Sequence, residues 1–296
     1  MNLPIWAFKN LWRHPWKTAI RVLGLASTTS VMMIWGSLTS GFRHLLQESA
    51  TGLELGDFQI HAPGYRETQD IYTMVPGIDA IAENLKSAGF RVSARMYGFA
   101  LGAAGQVSAG VRVIGIDPQQ ESTVTHLHNH VTGGRWLDPA DPRGVVLGGL
   151  LAQQLGVKPG SEVILIGYAS DGSLANDIFQ VRGVLAAVTS DLDNRGVYVT
   201  DQSFREFFLT QAGGHELAIV QGRADEPLQS ARSRIAELAP SMELMSWREL
   251  KPFLARTIDL QAITAYFTLA FSYIALGGLV LNLTFMRVYD RIREYG

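Results

Sequence analysis

Residues 262–286 read AITAYFTLAFSYIALGGLVLNLTFM, 25 positions without one charged side chain. Wound as an α-helix, the run is about 37 Å long, enough to cross a hydrocarbon core of about 30 Å with some tilt. Arg287-Val-Tyr-Asp-Arg291-Ile-Arg293-Glu294-Tyr-Gly296 follows directly. Cations crowded just beyond an apolar run hold that end on the cytosolic side of a membrane. The competing reading, a helix buried in a large soluble core, is disfavoured by the length of the uncharged run.

The opposite end has the same sign. Residues 1–21 contain Lys9, Arg13, Lys17 and Arg21 and no Asp or Glu. Residues 3–17, LPIWAFKNLWRHPWK, read as an amphipathic helix: Lys9, Arg13 and Lys17 share a face, while Trp6, Phe8, Leu11, Trp12 and Trp16 supply apolar bulk. Tryptophan with lysine and arginine suits a helix lying in the membrane interface, so Trp6, Lys9, Trp12, Arg13, Trp16 and Lys17 are expected to contact lipid. Pro15 marks a break, with a new helix starting near it. Residues 22–41, VLGLASTTSVMMIWGSLTSG, form a second spanning segment, rich in the small and hydroxyl residues that helix packing in lipid uses. A cleaved signal peptide is disfavoured because the apolar part is long.

Basic ends and an acidic middle place both termini in the cytosol and the middle across the membrane. The expected division is an interfacial helix at 1–18, a span at 19–41, an extracytoplasmic domain at 42–258, a second span at 259–286 and a cytosolic segment at 287–296. The net charge of -2 averages over these unlike parts. The chain has no cysteine, which excludes a disulfide framework and thiolate metal sites.

The middle is large enough to bury its own core. Helices are expected at 75–88, 201–209 (capped by Asp201) and 227–238, and stalk helices at 42–54 and 247–257. Strands are expected at 90–102 and 107–116, joined near Gly105-Gln106, and at 162–166, 178–188, 197–199 and 216–220. Residues 144–155 read as a strand turning into a short helix. This mixture points to an α+β domain of two lobes inserted between two transmembrane helices.

Several chemistries find no support in the sequence. It has no phosphate-binding GxxxxGK[ST], no GxSxG and no HExxH. Gly167-Tyr-Ala-Ser170-Asp-Gly172 has the wrong spacing for a nucleophile elbow and reads as a turn. His126-Leu-His128-Asn-His130 is a weak metal candidate: on a strand the three imidazoles would share a face, on a helix only His126 and His130 would. The plainer reading is a solvated loop or helix. Asn282 in the terminal span is either an inter-helix hydrogen-bonding group or a packing detail near the interface. No catalytic residues and no cofactor are expected, and nothing indicates a nucleic-acid partner.

The layout resembles the MacB/LolC/FtsX-type ABC transporter permeases over essentially the whole chain. The entry stretch Phe8-Lys-Asn-Leu-Trp-Arg-His-Pro-Trp-Lys-Thr18 is similar to the family's N-terminal segment. Gly133-Gly-Arg-Trp-Leu137, Gly144-Val-Val-Leu-Gly148 and Ala152-Gln-Gln-Leu-Gly-Val-Lys-Pro-Gly160 resemble its ectodomain motifs in order. Arg291-Ile-Arg-Glu294-Tyr-Gly296 resembles the cytosolic stretch that docks on the ATPase.

The resemblance implies a bacterial inner-membrane permease and a cytosolic ABC ATPase as partner. It also implies a second permease subunit, identical or different, and substrates such as lipoproteins, peptides, drugs or lipids. It assigns ATPase docking to Arg287, Arg291, Arg293 and Glu294. The family continues into further spans, so the expectation is a fragment or a split permease. The rival readings are a two-span sensor with a ligand-binding ectodomain and an extracytoplasmic enzyme.

Overall fold

A computed structural model describes residues 15–186, 190–211, 213–222 and 226–295. Two compact units emerge: one joins the chain up to Leu46 with the chain from Phe253 onward, and the other is Gln47–Pro252.

The first unit is built on two long helices, Pro15–Ala50 and Pro252–Tyr295. Two stretches are long and apolar enough to cross a membrane: Val22–Leu55, which runs from the first helix through the π-helical turn Thr51–Leu55, and Pro252–Asn282 in the second, with mean hydropathies of 1.3 and 1.7. A core helix would bury its large side chains. Here Trp35, Leu38, Phe267, Phe271 and Ile274 are exposed, which is the arrangement a lipid-facing surface requires. Their hydroxyl side chains are satisfied within each helix: Thr39 donates to the Trp35 carbonyl at 2.9 Å and Thr268 to the Thr264 carbonyl at 2.9 Å. Asn282 is exposed on the second helix.

Among the described residues the second unit contains ten strands: β1 (Phe58–His61), β2 (Arg91–Ala104), β3 (Val107–Ile116), β4 (Val131–Gly134), β5 (Gly144–Leu147), β6 (Glu162–Tyr168), β7 (Leu174–Leu185), β8 (Gly196–Thr200), β9 (Glu216–Val220) and β10 (Glu243–Ser246). All belong to one sheet, in the order β10-β1-β9-β2-β3-β8-β5-β7-β4, with β6 bridging β2 and β7. That bridge closes a ring. β2 pairs β3, β3 pairs β8, β8 pairs β5, β5 pairs β7, β7 pairs β6, and β6 returns to β2 through Ala100↔Gly167 to Ala103↔Ile164. The expected two lobes are thus a six-stranded barrel and a small open sheet, β10-β1-β9 with the start of β2. The long strand β2 belongs to both.

Each lobe has its own core. Val111, Val113, Val145, Leu147, Val163, Leu165, Val181, Val197 and Val199 form the barrel core. The helix Asp201–Phe208 adds Phe204, Phe207 and Phe208, whose i, i+3, i+4 spacing puts them on one face. The rings of Phe204 and Phe208 are 4.6 Å apart. Room for them comes from missing side chains: a Cβ at Gly98 would lie 2.6 Å from Phe208 Cζ, and one at Gly115 2.5 Å from Phe204 Cβ. The open sheet buries Phe58, Ile60, Val92, Leu217 and Ile219 under the helices Ile78–Ser87 and Leu228–Leu238. Each such side chain is worth about 1.5–3 kcal/mol when fully buried.

The sequence expectations differ from this fold at several points. The cap of Asp201–Phe208 is Thr200, whose hydroxyl accepts from the Ser203 N–H at 3.2 Å; Asp201 lies inside the first turn and pairs with Arg205 at 3.4 Å. The strand expected at 178–188 begins earlier, at Leu174, because it pairs with all of β6. The second stalk is broken: Trp247–Leu250 is one turn with a Ser246/Glu249 capping box, and a new helix starts at Pro252. The strands β1, β4 and β10 and the helices Tyr65–Thr68, Pro118–Val124 and Ser190–Arg195 lie outside those expectations.

Candidate functional site

The residues that match the permease ectodomain motifs do structural work. Gly134 has φ +83°, a left-handed conformation that glycine adopts freely, at the point where the chain meets the Arg182 carbonyl. The next residue, Arg135, donates its backbone N–H to that carbonyl at 2.8 Å. Trp136 tilts against Tyr198, centroids 6.0 Å apart. Gly156 ends the helix Gly149–Leu155 in a left-handed cap at φ +67°. These motifs therefore mark the fold.

Chemistry concentrates where the two lobes share β2. Register sets His61 opposite Glu216 across β1 and β9, and Glu216 opposite Arg95 across β9 and β2, so three ionisable side chains lie in one row. Arg95 is 4 % exposed and holds two carboxylates. Its Nη1 donates to Glu216 Oε1 at 2.9 Å, while Nε and Nη2 donate to the two oxygens of Glu121 at 3.0 and 2.7 Å. Nη1 also donates to the Glu54 carbonyl at 2.5 Å. Glu121 additionally accepts from Ser93 at 2.7 Å and Thr125 at 2.8 Å, which fills both its oxygens.

Burial works against both charges, yet the pairing prevails. Desolvation pulls the Arg95 guanidinium down, but Glu121, Tyr97 and Glu216 hold its pKa well above the ordinary value. Desolvation pushes Glu216 up, but His61 and Arg95 bring it below the usual carboxylate value. Beside it His215 is fixed in one tautomer, its Nδ1 accepting from the Tyr97 N–H at 2.9 Å and its Nε2 facing the Ile71 carbonyl at 2.9 Å. Burial lowers its pKa and keeps it neutral. Tyr65 stacks between His61 and His215, at 5.9 and 5.3 Å.

Above this row opens a cavity of about 290 Å³, with Arg66, Tyr65, Tyr97, Arg112, Asp191 and Lys251 among its lining residues. Arg112 lies over the Tyr97 ring, 5.6 Å from its centroid, and pairs with Asp191 at 3.0 Å. Lys251 pairs with Glu54 at 3.3 Å. None of these residues stands out in the sequence. The one available signal was charge at strand positions otherwise expected to be apolar.

The residues singled out from sequence fall elsewhere. Trp6, Lys9, Trp12 and Arg13 lie outside the described residues, as does Gly296. Trp16 is exposed on the first long helix, which also contains Lys17. Arg287, Arg291, Arg293 and Glu294 continue the second long helix toward Tyr295. His126 precedes a 3₁₀ turn, Leu127–His130, that holds His128 and His130. Among the described residues no group of three or more His, Asp or Glu side chains is placed to hold a metal ion.

In sequence, a mixed α/β domain lies between two helices whose large apolar side chains are exposed. The sequence matches the MacB-like periplasmic core domain over residues 18–238, and the chain belongs to that family of ABC-type transporter permeases. Its fold is similar to the periplasmic region of MacB from Actinobacillus actinomycetemcomitans, at a TM-score of 0.50 and 16% identity, covering 70% of this chain and 95% of that one. It is also similar to the extracellular domain of the noncanonic ABC-type transporter YknZ from Gram-positive bacteria, at a TM-score of 0.47 and 17% identity, covering 64% of this chain and 99% of that one. No curated protein matches the chain.

Proposed function

We propose that the chain is the portion of an ABC permease subunit that couples ATP hydrolysis in a separate cytosolic ATPase to movement of the domain Gln47–Pro252. The observation that carries this is a compact domain between two helices whose large apolar side chains are exposed. In this reading the protein sits in the bacterial inner membrane beside a second permease subunit, with both termini cytosolic and the central domain outside. Arg287, Arg291, Arg293 and Glu294 dock on the ATPase, while Trp6, Lys9, Trp12, Arg13, Trp16 and Lys17 rest on lipid. The transported substrate is a lipoprotein, or an exported peptide, drug or lipid. Charged contacts at a docking rim act mainly on specificity and association rate.

The test uses the absence of native cysteine. A membrane-impermeant thiol reagent labels a cysteine placed at Ser173 in intact spheroplasts and leaves one at Asn2 untouched. In the same membranes Glu294→Arg lowers recovery of the ATPase with the chain. Labelling at Asn2 but not at Ser173 would sink the topology. Equal ATPase recovery from both proteins would reduce the tail to an anchor and favour a two-span sensor.

A further inference from the structure

The cavity beside Arg95 has no part in the coupling proposed above, and its lining has an unbalanced chemistry. Every lining carboxylate already has a cation. Glu54 has Lys251, Asp191 has Arg112, and Glu121 and Glu216 share Arg95. A cationic ligand would find no free partner among them.

The capacity left over is of the opposite kind. Arg66 is exposed on the one-turn helix Tyr65–Thr68 and has no ion pair or side-chain hydrogen bond among the described residues. Arg112 is three-quarters shielded from solvent and meets Asp191 through Nη2, while its buried Nε has no partner. A buried donor without an acceptor costs about 1–3 kcal/mol, so the Arg112 Nε–H in this cavity lining calls for an acceptor. Tyr65 and Tyr97 give the same space two aromatic walls.

We propose that this cavity is a binding site for a small organic anion, a carboxylate or phosphate ester. Its oxygens accept from Arg66 and from the guanidinium of Arg112, and its carbon skeleton lies against Tyr65 and Tyr97. The volume, about 290 Å³, suits a metabolite-sized ligand and excludes a folded polypeptide. Arg112 and Asp191 would part slightly to admit it, since Arg112 Nε is closed to solvent.

The experiment is calorimetric titration and thermal melting of the full chain in detergent. The probes are succinate, glycerol 3-phosphate and the diamine putrescine, each at millimolar concentration. Either anion raises the melting temperature by mass action, and putrescine does not. Comparison of succinate with glycerol 3-phosphate decides between carboxylate and phosphate. Arg66→Ala weakens the anion about fivefold, the effect of one exposed charge, and Arg66→Glu abolishes the shift. Both variants retain the wild-type melting temperature without ligand, because Arg66 is exposed. Lys158→Glu, an exposed reversal outside the cavity lining, leaves binding unchanged. The proposal is overturned if neither anion shifts the melt, if putrescine alone does, or if Arg66→Glu binds as the wild type. None of these outcomes depends on the ATPase or on membrane topology, so failure here and failure of the coupling reading are separable.

Discussion

Arg95→Met is expected to destabilise the Gln47–Pro252 unit by about 3–5 kcal/mol, because it removes the one cation shared by two buried carboxylates. Glu121 is 1 % exposed and Glu216 is 5 % exposed, so neither can turn to water for compensation. Methionine fills much of the arginine volume, so the loss reports charge and hydrogen bonding more than a cavity. Denaturant unfolding of the purified chain measures it. Adding Glu121→Gln and Glu216→Gln should restore part of the loss by deleting the stranded charges. Acid acts on the same row. Both His215 and Glu216 have folded pKa values below their ordinary 6.5 and 4.5. Their contributions are therefore complete above those values and are lost as pH falls through the folded ones. The melting temperature should fall below pH 6.5 and again below pH 4.5, and the second step should shrink in Arg95→Met. A destabilisation under ~1 kcal/mol would mean that the cluster is solvated rather than buried.

Gly115→Val is the second large effect. A Cβ there would sit 2.5 Å from Phe204 Cβ and 2.7 Å from Phe204 Cγ, inside the barrel core where the neighbour has nowhere to go. Overpacking of this kind costs about 1–3 kcal/mol, and the branched side chain places Gly115→Val at the upper end. Gly110→Val, five residues earlier on the same strand, is the control. Gly110 is exposed and has nothing within 4 Å of its Cβ position, so the substitution should be neutral or slightly stabilising through strand propensity. Equal melting temperatures for the two variants would show that the helix Asp201–Phe208 does not seat in the barrel as described.

How much was legible in advance divides along the range of the forces involved. The apolar helices could be read because lipid crossing sets a length that 262–286 meets without a charge. The helix Ile78–Ser87 and the β2–β3 hairpin could be read because a helical stripe and a two-residue turn are local. The short strands β1 and β10 escaped: four residues each, they exist because β9 offers β1 a partner and β1 offers one to β10. The histidine cluster 126–130 is a metal candidate only where a strand puts its three imidazoles on one face, and the chain there forms a 3₁₀ turn, Leu127–His130, instead.

By itself the sequence determined that this protein is a mixed α/β domain carried between two apolar helices, since periodicity, segment length and charge each act over a few turns of chain. Only the tertiary structure decided that the strands close into a barrel through β6 and that His61, Glu216 and Arg95 form one buried row. Those residues lie up to 155 positions apart, and their meeting is set by strand register. A shift of one residue would turn each of these side chains to the opposite face of the sheet, so the site exists only once every neighbouring strand is in place.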